Sequence, residues 1–261
     1  MRAILWATLL FATTLGLFFA SVFGARWLGL RGYWVYAPPI VLPVFACWTY
    51  AILVQRFERR RAAEVVPDAS SFPEILVGFA LGGALITAMW LLLWVVGLNN
   101  VQRGPWTHWF EDLVFDSYIS AVLEELAFRA VLFRILARIC GVRTGVILSS
   151  LLFGLAHLTH GSWLGILGIT LNAGVTMALL YVITGRLWMS IGMHLGYDFI
   201  ETSVLGVGNH HGFLVSTPNA GAQAWLSGGS FGPDAAVPGM IVGLIINFVL
   251  WRLAFGTSNV E

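Results

Sequence analysis

Apolar stretches about as long as a bilayer is thick recur along this chain, too many for a soluble core of this size to bury. They fall at about 3–23, 33–54, 73–97, 113–133, 145–161, 164–183, 187–207 and 238–255, separated by Arg, Pro, Gly or Asn. Roughly 20 apolar residues cross the hydrocarbon core as a helix, and a helix satisfies its own backbone hydrogen bonds where no water can. The expected fold is all-α: a polytopic membrane bundle of about eight transmembrane helices forming a single membrane domain. The chain is 58% apolar and only 10% charged, against roughly a quarter charged in soluble proteins. The first window follows Arg2 and leads to small residues near Ala25, but its apolar length is that of a span, so it reads as an uncleaved anchor.

All fourteen basic residues besides histidine are arginines, and they are not gathered on one face. That argues against nucleic acid as a partner. Arg56, Arg59, Arg60 and Arg61 follow the second window, Arg134, Arg138 and Arg143 the fourth and Arg186 the sixth, while Arg252 lies near the end of the eighth. With alternating spans all of these share a side with Arg2, leaving Arg26, Arg31 and Arg103 opposite, so both termini are expected in the cytoplasm. The protein is expected in the cell (plasma) membrane. The absence of Lys beside abundant Ala, Gly, Arg and Trp suggests a GC-rich prokaryotic genome.

Cys47 and Cys140 lack metal-ligand spacing and read as small buried hydrophobes. Residues 55–72 form a polar connection, partly helical and then a turn. Residues 208–237, with His210 and His211, form a long outside loop of the kind that is either functional or disordered. Trp27, Trp34, Trp106, Trp109 and Trp163 fall where an interfacial aromatic belt would. Gly78, Gly82 and Gly83 suit close helix packing.

Ionisable residues inside a span are costly and mark functional positions. Three spans carry them: Glu124-Glu125-Leu126-Ala127-Phe128-Arg129, Phe153-Gly154-Leu155-Ala156-His157, and His194-Leu195-Gly196-Tyr197-Asp198. Glu125 and Arg129 stand one helical turn apart and can pair, while Glu124 is rotated about 100° away. Glu124 is therefore the candidate for activating a water, although helix angle favours it only if the pocket lies on the face shared with His157 and His194. His194 and Asp198 also lie one turn apart, so Asp198 can fix the imidazole tautomer while the other nitrogen faces the pocket. That pair would serve an oxyanion contact or a metal equally well. No HExxH occurs, and Ser149, Ser150 and Ser190 lie in no nucleophile context. No metal and no other cofactor is expected.

Together the three segments resemble the CAAX-protease and bacteriocin-processing family of membrane endopeptidases, whose motifs are EExxxR, FxxxH and HxxxN or HxxxD on successive helices. They are matched by Glu124-Glu125 with Arg129, Phe153 with His157, and His194 with Asp198. The resemblance covers roughly residues 111–255 as a catalytic helical core, including Gly228-Gly229-Ser230-Phe231-Gly232-Pro233-Asp234. Residues 1–110 carry no motif. It implies a glutamic endopeptidase in which Glu124 and His157 activate water while His194 and Asp198 stabilise the oxyanion, with Arg129 and Phe153 supporting. Its partners would be membrane lipid and a lipid-anchored or membrane-inserted peptide substrate. An ionised aspartate cannot donate to an oxyanion as an asparagine amide can, so Asp198 is expected to orient His194. A non-catalytic immunity or scaffold protein and a proton-coupled transporter are the competing readings.

Counted from the arginines, Glu124 lies about ten residues from Arg134 and His194 eight from Arg186, but His157 fourteen from Arg143. At 1.5 Å per residue the histidine misses the others by several ångströms, unless the fifth span starts late, tilts or is broken.

Overall fold

A computed structural model describes residues 2–158, 162–208 and 211–256. His210, noted in the sequence, lies outside them. Helices α1 (Arg2–Trp27), α2 (Gly32–Glu58) and α3 (Ser71–Val95) precede a short strand β1 (Asn99–Arg103). A long helix α4 (residues 109–140), α5 (Val142–Ala156), α6 (Trp163–Thr184) and α7 (residues 188–204) follow, then strand β2 (Leu214–Pro218) and α8 (Val237–Phe255). Local signals explain several boundaries. Pro38 and Pro39 occupy the first α-helical turn of α2, where their missing N–H groups cost nothing. The Ser162 hydroxyl accepts from the Gly165 N–H at the start of α6. At Gly185 a left-handed φ of 66° ends the same helix.

Among the described residues, each of the eight apolar windows overlaps one of these helices. Four of them, α2, α3, α6 and α8, are long and apolar enough to cross a membrane among the described residues, and the chain is an integral membrane protein. The expectation of eight full spans is therefore met only in part. Helix α5 is apolar but has 15 residues, short of the roughly 20 that a bilayer needs. Charged residues interrupt α4 and α7. Several helices widen into π-helical stretches, at residues 112–118 and 126–133 of α4, 169–175 of α6 and 200–204 of α7, a distortion that often accompanies functional sites.

The two ends of the bundle differ in chemistry. At one end Glu58 meets Arg60, Arg134 and Arg138 at 2.9, 2.5 and 3.3 Å, and Arg186 pairs with Asp68 and Glu74. The Arg143 guanidinium lies over the Phe255 ring, 5.2 Å from its centroid, so the last turn of α8 ends here as well. At the other end β1 and β2 pair antiparallel, with Asn99 opposite Pro218 and Arg103 opposite Leu214. The loop expected after residue 208 is thus partly a strand, tied to the connection between α3 and α4. Trp27, Trp34, Trp106, Trp109 and Trp163 are all exposed around this second end. One correction concerns Cys140, which is exposed because the last residues of α4, from Arg138 on, lie at the surface, whereas Cys47 is partly buried and packs against the apolar core.

Helices α3 and α7 touch backbone to backbone. A Cβ added at Gly78 or Gly82 would collide with the carbonyl oxygens of Met189 or Met193, and one at Gly192 or Gly196 with those of Ile75 or Phe79. Each helix thus contributes a small-xxx-small pair, the spacing that lets membrane helices approach closely. Gly82→Leu should push α7 away from α3 and destabilise the detergent-solubilised protein by about 1–3 kcal/mol, read as a lowered thermal midpoint.

The arginine-rich end carries a titratable latch. Burial would raise the Glu64 carboxyl, but hydrogen bonds from Arg60 and the Tyr50 hydroxyl outweigh it and hold its pKa below the usual carboxylate range. Glu64 therefore contributes stability in full above its unfolded pKa of about 4.3, and loses it as pH falls through the lower folded value. Thermal melts between pH 6 and about 3 should show this loss, and Glu64→Gln should flatten that part of the profile.

Candidate active site

Three helices deliver the ionisable residues to one place. Arg129, 1% exposed, pairs with Glu125 at 2.8 Å as the one-turn spacing requires. Its guanidinium also donates to the carbonyls of Ala173 (3.5 Å) and Gly174 (3.1 Å) on the wide turn of α6, and lies 4.4 Å from the centre of the Phe153 ring. Phe153 is the hub of the site. Its ring packs edge-on to Phe128 at 5.0 Å between centroids, and stands 4.9 Å from His157 and 6.0 Å from His194.

His157 sits just past the last turn of α5, with φ −93° and ψ 16°. Its Nδ1 lies 2.9 Å from the Phe153 carbonyl oxygen, one turn back. A carbonyl only accepts, so Nδ1 carries the proton and Nε2 presents a lone pair. That lone pair faces Glu124, with 3.8 Å between Nε2 and Oε2, and Glu124 Oε2 has no hydrogen-bond partner among the described residues. The depth mismatch counted along the sequence is absorbed here, because the ring folds back toward the start of its own helix.

His194, buried, lies between two carboxylates: Nδ1 is 3.3 Å from Glu125 Oε1 and Nε2 is 3.3 Å from Asp198 Oδ2. This corrects the expectation that its second nitrogen faces the pocket. The nitrogen turned away from Asp198 meets Glu125, which Arg129 has already fixed in place.

A cavity of about 760 Å³ reaches Glu124, His157, His194 and Asp198. Its walls also hold Asp116, Glu201 and Asp234, none of which belongs to a motif. Asp234 accepts hydrogen bonds from Asn172 Nδ2 (2.7 Å) and the Tyr197 hydroxyl (2.8 Å), and so joins the loop before α8 to α6 and α7. Asp116, Asn172 and Glu201 are polar residues inside apolar windows, the same signal that flagged Glu124, and could have been found by it. Asp234 was visible only as part of the Gly228–Asp234 segment. A second, largely apolar cavity of about 360 Å³ between α1, α4 and α5 touches Glu124 and His157 from the side. Ser149, Ser150 and Ser190 all donate to backbone carbonyls. No group of three or more His, Cys, Asp or Glu among the described residues is arranged to hold a metal ion.

Residues 106–200 match the family described as type II CAAX prenyl endopeptidase Rce1-like. No curated protein and no solved structure matches the chain. All three motifs lie within the matched segment, so the part of the chain that carries them is similar to a family of membrane peptidases.

The Glu125–Arg129 pair gives a stability test. Removing one partner leaves a buried charge uncompensated at a cost of about 3–5 kcal/mol, whereas removing both charges does not. Arg129→Met should accordingly lower the thermal midpoint sharply, and Arg129→Met combined with Glu125→Gln should recover much of the loss.

Proposed function

We propose that this protein is an intramembrane glutamic endopeptidase that hydrolyses a peptide bond with a water activated by Glu124 and His157. The observation that carries the reading is the facing pair at the cavity floor, Glu124 Oε2 and His157 Nε2 at 3.8 Å. An ionised carboxylate and an imidazole lone pair both accept, so a water between them donates one hydrogen to each and turns its own lone pair outward. Glu124 takes a proton as the water oxygen bonds to the peptide carbonyl carbon. The same proton then passes to the departing amine as the C–N bond breaks.

The oxyanion of the tetrahedral intermediate needs a donor nearby. In this reading His194 supplies it through Nε2–H, with Glu125 and Arg129 holding the ring from behind. The Asp198 side chain, 28% exposed, is the partner that a bound peptide displaces. The orienting role is thereby shared: Glu125 fixes His194 from Nδ1, and Asp198 holds Nε2 only until substrate arrives.

The substrate in this reading is a lipid-anchored or membrane-inserted peptide. The apolar side cavity supports it, since a hydrocarbon chain or apolar side chain seated there would lie beside the scissile bond. A scaffold or immunity protein would have no use for a cavity that reaches its polar cluster. We also place both termini in the cytoplasm, on the strength of the arginine distribution, and the protein in a prokaryotic cell, on the strength of a composition without Lys.

Cleavage of C-terminal membrane peptides by the solubilised protein tests the mechanism. Glu124→Gln should lower kcat by about 10²–10⁴-fold, the usual worth of a general base, with the thermal midpoint unchanged. Asp198→Asn should retain cleavage, because its amide can itself donate to the oxyanion. A chelator should have no effect, and chelator-sensitive cleavage would move the site to a metal mechanism.

A further inference from the structure

The cavity has a direction. From the floor formed by Glu124 and His194 it is walled by Phe18 to Phe23 of α1, Asp116 and Ser120 of α4, Asp198 to Thr202 of α7 and Ser230 to Asp234 of the loop before α8. Every one of these segments lies toward the end that carries the β1–β2 ladder and the exposed tryptophans. The opposite direction is closed. Beyond the Glu125–Arg129 pair the bundle is filled by Leu126, Val131, Phe133, Leu179, Leu187 and Ile191, all buried in one apolar cluster with Tyr50 and Val54. Water and peptide therefore reach Glu124 from the ladder end or sideways from the bilayer, and not through the arginine-rich end.

The arginines fix which face that is. The connections after α2, α4 and α6 and the last turn of α8 gather most of the arginines at the plugged end, Arg129 lies at membrane depth, and Arg26, Arg31 and Arg103 lie toward the other end. Loops rich in arginine stay in the cytoplasm. Resting on the peptidase reading and its orientation, we infer that the active-site cavity opens on the extracytoplasmic face of the membrane. Its substrates are then peptide segments already carried across or exposed at the outer leaflet, not tails that are made and lipidated in the cytosol.

Thiol accessibility in intact cells tests this without needing a substrate. Cys140 is exposed at the arginine-rich end and serves as the cytoplasmic marker in a Cys47→Ala variant. In a variant with Cys47 and Cys140 both replaced by alanine, Ser120→Cys places a thiol on the cavity wall one turn from Glu124, and Ser230→Cys places one on the loop wall. A charged, membrane-impermeant methanethiosulfonate added to intact cells should modify both introduced thiols and leave Cys140 untouched, with the pattern reversed in inverted vesicles. Modification of the introduced thiols from the face that exposes Cys140 would overturn the inference. The peptidase reading is separated from this outcome by the Glu124→Gln comparison in detergent, where both faces are open and sidedness plays no part.

Discussion

The bundle is organised around one buried cation. Arg129 cannot reach water, and a guanidinium held at membrane depth must find its compensation within the protein. It finds an anion on its own helix, two carbonyls on α6 and an aromatic face on α5. Through Glu125 the same charge reaches His194 on α7. Four helices are thus oriented by the demands of a single side chain. The carbonyls of Ala173 and Gly174 accept because α6 is widened there into a π-helical stretch, where the regular hydrogen-bond ladder is loosened.

That arrangement separates two adjacent carboxylates into different tasks. Glu125 is engaged in charge balance and in holding His194, while Glu124, one position earlier and rotated by a helical step, lines the cavity with an oxygen that no donor among the described residues satisfies. Phe153 makes the separation durable. Its ring lies 4.4 Å from the Arg129 guanidinium and 4.9 and 6.0 Å from the two histidine rings, covering the buried ion pair while Glu124 lines the cavity.

Much of this was legible in the sequence because the membrane makes polar residues rare. The apolar windows located the helices, and polar residues within three of those windows located Glu124, Glu125, His157, His194 and Asp198, which the fold brings together. What stayed hidden depended on geometry rather than residue type. The shortness of α5 and the backward fold of His157 cannot be counted from arginine positions. The second partner of His194 required knowing that α4 faces α7. Asp116, Glu201 and Asn172 lie in apolar windows but outside the three motifs, so their spacing carries no chemical signal. The strands were masked by the surrounding apolar signal, since five residues pairing across more than a hundred others leave no local pattern.

That last pairing also bears on when the protein can become competent during synthesis. Residues 99–103 must wait for residues 214–218 before their ladder can close, and the cavity wall at Ser230 and Asp234 is made later still. Contacts so distant in sequence form late in folding, and chains fold progressively as they are made. A chain still being inserted, with all three motifs already in the bilayer, thus lacks one wall of its cavity. In the peptidase reading, such an unfinished chain carries the catalytic groups without the chamber that would let them act on neighbouring nascent proteins.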